Sequence, residues 1–304
     1  MSRQIISRRA FTKSALAGAA LSRAARGSDT AVPLGVQTNS FHLLPPEGAR
    51  QRIMQSMTAI GIEFCELTAI HLQPPEISNK MRSSDPAVRA AAAEDFRKWK
   101  LNAPMDYFTQ IQGQFRNAGL SIRSCSIAIG ETNEEIEKTF GIAKALGAMM
   151  FSTATTLSIA RRIAPSAERQ SLRVGFQGRF NRNATDANLM STPEKLLKVT
   201  DYCDRFYMQF DIGDCTGAGF DALPFIEQHY QRLSGVHLKD KTRSGRSVPF
   251  GQGDTPVKPV LEFLKRTQAG IPAYIDCDYQ SERSPEEEVK TNFNYARSVL
   301  SGSV

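Results

Sequence analysis

Two kinds of stretch alternate along this chain. Short runs rich in β-branched and aromatic residues, about 5–10 residues long, read as buried strands. Between them lie longer segments with apolar residues three or four apart, the spacing of one helix face. The strand-like runs are Pro33–Ser40, Ile62–Leu67, Leu120–Ile129, Ala148–Thr153, Arg173–Gln177, Phe206–Asp211, Leu233–Leu238 and Ala273–Cys277. The first helical segment is Gly48–Ile60, with Ile53, Met57 and Ile60 on one face. Asp85-Pro86 opens another as N-cap and first-turn proline; its helical character breaks near Pro104 and resumes to Ala118. Thr132 with Glu135, and Ser284 with Glu287, have the spacing of capping boxes. Leu157–Ser171, Ser191–Asp204, Asp221–Gln231 and Val257–Thr267 complete the alternation, with Pro165 making the first of these irregular. Strict βα alternation implies a parallel sheet, and eight units imply a closed (β/α)8 TIM barrel. A doubly wound open sheet would want a Gly-rich phosphate turn after its first strand, and Thr38-Asn39-Ser40-Phe41 supplies none.

Composition sharpens this picture at one end of the chain. Of the formal net charge of +7 over 304 residues, Arg3, Arg8, Arg9, Lys13, Arg23 and Arg26 supply six within residues 1–28, which hold no acid. The rest of the chain is therefore nearly neutral, and a nucleic-acid partner is not expected. Ser7-Arg8-Arg9-Ala10-Phe11-Thr12-Lys13 resembles the twin-arginine export pattern and is followed by the mildly apolar Ala15–Leu21. Residues 1–28 are read as a signal segment, residues 29–304 as one barrel domain, and the location as periplasmic or exported. No run is long enough to span a bilayer, which takes ~20 apolar residues. The five cysteines, Cys65, Cys125, Cys203, Cys215 and Cys277, show no CxxC spacing and read as buried thiols rather than a disulfide framework.

In a TIM barrel, residues at the C-terminal ends of the strands face the catalytic mouth. Here those positions are polar. They offer Glu66 and His71 after the second strand, Gln177 and Arg179 after the fifth, and Asp211 and Asp214 after the sixth. His237 and Lys239 follow from the seventh, and Asp276 and Asp278 from the eighth. Carboxylates and an imidazole converging from the last strands make a reasonable divalent-metal site, with Mn, Zn, Mg or Co all suited to such donors.

The pieces GIEFCEL at 61–67, FDIGD at 210–214, VHLKDKTRSGRSVPFGQGDTP at 236–256 and PAYIDCDY at 272–279 resemble the sugar phosphate isomerase/epimerase, or xylose-isomerase-like, barrels. The resemblance spans Leu34 to Leu300, and the signal-bearing N-terminus looks like the exported subgroup. It implies one metal held by side chains from strands five to eight, whose matching positions are Gln177, Asp211, His237 and Asp276. Asp211 and His237 match outright. Asp276 is one methylene shorter than the usual glutamate, with Asp278 as its alternative. Gln177 departs from the usual acid and cannot act as a base. Gln177-Gly178-Arg179 stands where the subgroup shows His-Asn-His, and Asp214 stands in place of a histidine.

The resemblance implies proton transfer next to a carbonyl of a sugar or sugar derivative: isomerisation, epimerisation, or a related lyase or hydratase reaction. Asp276 and Gln177 are the candidate catalytic positions. Glu66, His71, Arg179, Asp214 and Lys239 are the candidate substrate contacts. The departures at 177, 179 and 214 carry an alternative, a degenerate barrel that binds a sugar or a partner without turnover. A three-zinc DNA-repair endonuclease on the same fold would want many histidines; this chain has four.

Overall fold

The computed structural model describes residues 32–304. The twin-arginine reading of residues 1–28 lies outside them. Eight parallel strands close into a barrel. They are β1 (Leu34–Gln37), β2 (Phe64–Thr68), β3 (Ser121–Ser126), β4 (Met150–Thr153), β5 (Arg173–Phe176), β6 (Phe206–Asp211), β7 (Leu233–Leu238) and, after a small hairpin β8 (Asp240–Lys241) and β9 (Ser247–Val248), β10 (Ala273–Ile275). Neighbouring strands pair in sequence order, and β1 closes on β10 through Leu34–Ala273, Gly35–Tyr274 and Val36–Ile275.

The expected strands all form, but most are trimmed. β1 stops at Gln37 because its side chain accepts the Asn39 N–H and turns the chain into a 3₁₀ helix, Thr38–Phe41. The stretch after β7 contains the antiparallel β8–β9 pair, Asp240 with Val248 and Lys241 with Ser247. Two residues per strand are too few to show a period of two, so the pattern could not reveal it.

Helices pack outside, each laying its apolar stripe on the sheet. Ile53 and Met57 of helix Ala49–Ile60 are fully buried, as are Val260, Leu261 and Leu264 of helix Val257–Thr267. Both expected capping boxes form. All five cysteines are buried and free. Among the described residues no helix is long and apolar enough to cross a membrane.

The capping box at Asn133–Ala145 is reinforced from outside. The buried Glu135 carboxylate accepts the Thr132 N–H at 2.9 Å, the Glu131 N–H at 3.1 Å and the Arg97 Nε–H at 2.6 Å. Burial alone pushes its pKa up; these donors outweigh it and hold Glu135 at about 2, below its ordinary 4.5. A depressed folded-state pKa contributes stability that is complete above the unfolded value and lost as pH falls from 4.5 through 2. Glu135→Gln is therefore expected to lower the Tm by roughly 2–4 °C near neutrality. The gap to wild type should close as pH falls toward 2, in thermal scans across that range. A gap unchanged with pH would mean that the carboxylate charge contributes nothing.

Candidate functional site

Register brings the polar strand ends together. Asp211 closes β6 and lies directly opposite His237 on β7. Asp276 follows β10, where its N–H donates to the Leu238 carbonyl at 3.0 Å. One ligating atom from each of Asp211, His237 and Asp276 lies within 4.8 Å of the others, and all three residues are buried. Asp211 is bifunctional. Its Oδ1 accepts the Asp214 N–H at 2.7 Å and caps the short helix Ile212–Gly217, while Oδ2 faces the cluster.

His237 is held from across the barrel. Its Nε2 lies 2.9 Å from Oε1 of Glu66 on β2, a fully buried residue. Nδ1 is thereby turned to Asp211, 4.0 Å from Oδ2. A carboxylate fixing one imidazole nitrogen while the other faces a donor cluster is how metal-ligating histidines are oriented. Burial pushes His237 toward the neutral form, but the Glu66 charge and hydrogen bond, with Asp276 and Asp211 nearby, raise its pKa to about 9. Burial pushes Asp211 up to about 6, against the pull of Lys239.

Lys239 sits among the acids. Its Nζ is 3.1 Å from Asp211 Oδ2, 3.1 Å from Asp276 Oδ2, 3.1 Å from Asp278 Oδ2 and 3.6 Å from Asp214 Oδ1. Burial pulls its pKa down, yet the four carboxylates hold it well above the ordinary value, so the ammonium is permanently charged. Lys241 covers Asp214 at 2.7 Å.

The residues fit a divalent cation. Asp276 Oδ1, Asp278 Oδ1 and Glu66 Oε2 are buried without a hydrogen-bond partner. Five carboxylates (Glu66, Asp211, Asp214, Asp276 and Asp278) face three positive groups, His237, Lys239 and Lys241, leaving an excess of two negative charges. Oxygen donors with one imidazole suit Mn, Zn, Mg or Co.

The other expected site residues divide. Gln177 follows β5 and donates from Nε2 to Ser152 Oγ at 2.9 Å and Ser126 Oγ at 3.2 Å; its hydrogen bonds run to β3 and β4, not to the cluster. Arg179 is exposed, and its side chain makes no hydrogen bond or ion pair among the described residues. His71 is buried, with Nδ1 3.1 Å from Thr38 Oγ1 and 3.3 Å from Thr68 Oγ1. Burial, with Arg82, Arg50 and His42 nearby, lowers its pKa to about 3, so it is neutral.

Two residues after β7 have partners that the sequence did not give. Lys239, expected as a substrate contact two residues beyond His237 and on the same side of the strand, is seated among four carboxylates. Asp240 organises the loop above the mouth. Its Oδ2 accepts the N–H groups of Gly251 at 2.8 Å and Gly253 at 3.0 Å, and its Oδ1 that of Thr255 at 3.2 Å. A Cβ on Gly253 would stand 2.2 Å from Asp240 Oδ1, so the second glycine of the Gly-x-Gly-Asp piece is required by close approach.

A cavity of about 430 Å³ beside this mouth is lined by Ile70, Met81, Phe96 and Lys100 among others, and by none of the cluster residues. Burial lowers the Lys100 pKa to about 8. Its Nζ already donates to the carbonyls of Ala128 and Ile129 and to Thr139 Oγ1, which makes it a structural cation.

Residues 153–299 match the model of a family described as xylose isomerase-like TIM barrel. No curated protein is significantly similar in sequence. Similar solved structures include an L-ribulose 3-epimerase, with a TM-score of 0.63, 11% identity and coverage of 90% of this chain and 95% of that one. The IOLI protein with a bound zinc atom has a TM-score of 0.61 and 11% identity, covering 90% and 99%. The probable 3-DHS dehydratase AsbF from Bacillus anthracis has a TM-score of 0.59 and 12% identity, covering 86% and 98%. The described residues thus form a closed parallel (β/α)8 barrel, and from the end of β4 onward the sequence is similar to that of the xylose isomerase-like TIM barrels.

Proposed function

We propose that this protein is a metal-assisted isomerase or epimerase, or a related lyase, that moves a proton next to the carbonyl of a sugar or sugar derivative. The observation that carries the reading is the convergence of Asp211, His237 and Asp276, backed by Glu66 and by buried carboxylate oxygens without partners. The similar folds of an epimerase and a dehydratase support a carbonyl-polyol substrate, and that of a zinc-bearing protein supports the metal. Asp211, His237 and Asp276 would hold the ion. A divalent ion there polarises the substrate's carbonyl and neighbouring hydroxyl oxygens.

The chain's own groups divide the remaining work. Asp276 Oδ1, buried and free of hydrogen bonds, is the proton acceptor. Lys239, held as a cation by the surrounding carboxylates, is no base. Gln177, a neutral amide whose Nε2 donates to Ser152 and Ser126, exchanges no proton.

Solvent-deuterium incorporation into a panel of ketoses and keto-acids, with Mn, Zn, Co or Mg added, tests the reading. Wild type should exchange the proton beside the carbonyl, and Asp276→Asn should be slower by about 10²-fold or more. Tight sugar binding without exchange under any metal would favour the alternative, a barrel that binds without turnover. The neutral Gln177 and the lysine seated among the acids are the observations on that side.

A further inference from the structure

Lys239 occupies the position a metal needs. Its ammonium is 3.1 Å from both Asp211 Oδ2 and Asp276 Oδ2, carboxylates of the two acids in the proposed ligand set. A divalent ion ligated by carboxylate oxygens sits roughly 2.0–2.5 Å from them. An ion shared by these two oxygens would therefore press on the ammonium, and like charges repel strongly where burial excludes water. Lys239 is buried, so solvent does not screen that repulsion.

We propose that Lys239 and a divalent ion compete for one seat between Asp211 and Asp276, so that the metal loads only as the lysine swings outward. This rests on the proposed metal site. The chain supplies a place for the displaced ammonium. Asp214 Oδ1 lies 3.6 Å from Nζ with its side chain 37% exposed, and Asp278 Oδ2 lies 3.1 Å away with its side chain 26% exposed. Both are more open than Asp211 and Asp276, whose side chains are 9% and 3% exposed. A lysine stem has four flexible carbons, so the head can move toward these rim carboxylates without moving the strand. With the lysine seated, the metal-free barrel keeps a cation among its acids.

Two measurements test this on the full chain. Calorimetric titration with MnCl2 or ZnCl2 compares wild type with Lys239→Met, which keeps length and removes charge. The variant is expected to bind roughly 10-fold more tightly or better. Removing the lysine also leaves several carboxylates unpaired, so a second readout uses wild type alone. Reductive methylation followed by peptide mass spectrometry should label Lys239 poorly without metal and several-fold more when metal is added. Lys100, held by carbonyls, serves as the unchanged internal reference. Equal affinity in the two proteins, or metal binding that leaves Lys239 labelling unchanged, overturns the competition and leaves the metal site standing. Binding by neither protein overturns both.

Discussion

His237→Ala is expected to abolish metal retention and to destabilise the metal-free barrel by about 3 kcal/mol or more, because it strands a buried charge. The imidazolium is the hydrogen-bonding partner of Glu66, which is wholly inaccessible to solvent and whose Oε2 already lacks a partner. Deleting the histidine leaves both oxygens unpaired in a low-dielectric interior. The companion variant Glu66→Gln/His237→Ala removes the stranded charge and should recover part of the loss. Urea unfolding of the three proteins measures the stability terms, and elemental analysis measures the metal. A His237→Ala protein as stable as wild type would show that the pair carries no charge. Loss of metal in the double variant despite recovered stability would separate ligation from folding.

Asp240→Ala is expected to be as damaging, by a different route. One carboxylate, 1% exposed, satisfies three backbone N–H groups, those of Gly251, Gly253 and Thr255. The Thr255 N–H is buried and the two glycine N–H groups partly so; a buried donor left without an acceptor costs about 1–3 kcal/mol, and a charged acceptor raises the stake. A total near 3 kcal/mol follows if the loop partly opens to water. Asp240→Asn keeps one acceptor oxygen and should fall between. The damage should be local first: limited proteolysis should cut within 242–254 before the barrel unfolds, because only this loop depends on the carboxylate. Cleavage spread evenly over the chain would refute that. The His-Leu-Lys-Asp and Gly-x-Gly-Asp pieces are thus two halves of one scaffold. His237 belongs to the site, and Asp240 holds the loop that follows it.

How much of this was legible beforehand depends on the range of each interaction. Helix caps are contacts between residues three apart, so Thr132–Glu135 and Ser284–Glu287 could be read from spacing and form as expected. The polar strand ends also followed from position, since a parallel barrel presents the carboxyl end of every strand at one mouth. Asp211, His237 and Asp276 converge there. Gln177 stands at the expected place after β5, but its amide is engaged by two serines from neighbouring strands that the linear pattern could not bring to it.

By itself the sequence determined the alternation of elements, the parallel sense of the sheet and which residues end each strand, because these depend on periodicity and on contacts a few residues apart. The tertiary structure alone decided partnerships. Glu66 and His237 are 171 positions apart and meet because the strands close into a barrel. Side-chain alternation says that a residue faces inward, but closure and stagger decide which other inward residue it meets. Burial then sets the charge each group carries. The same packing that excludes water makes His237 a cation beside Glu66, His71 neutral among threonines, and Lys239 the counter-ion of four acids.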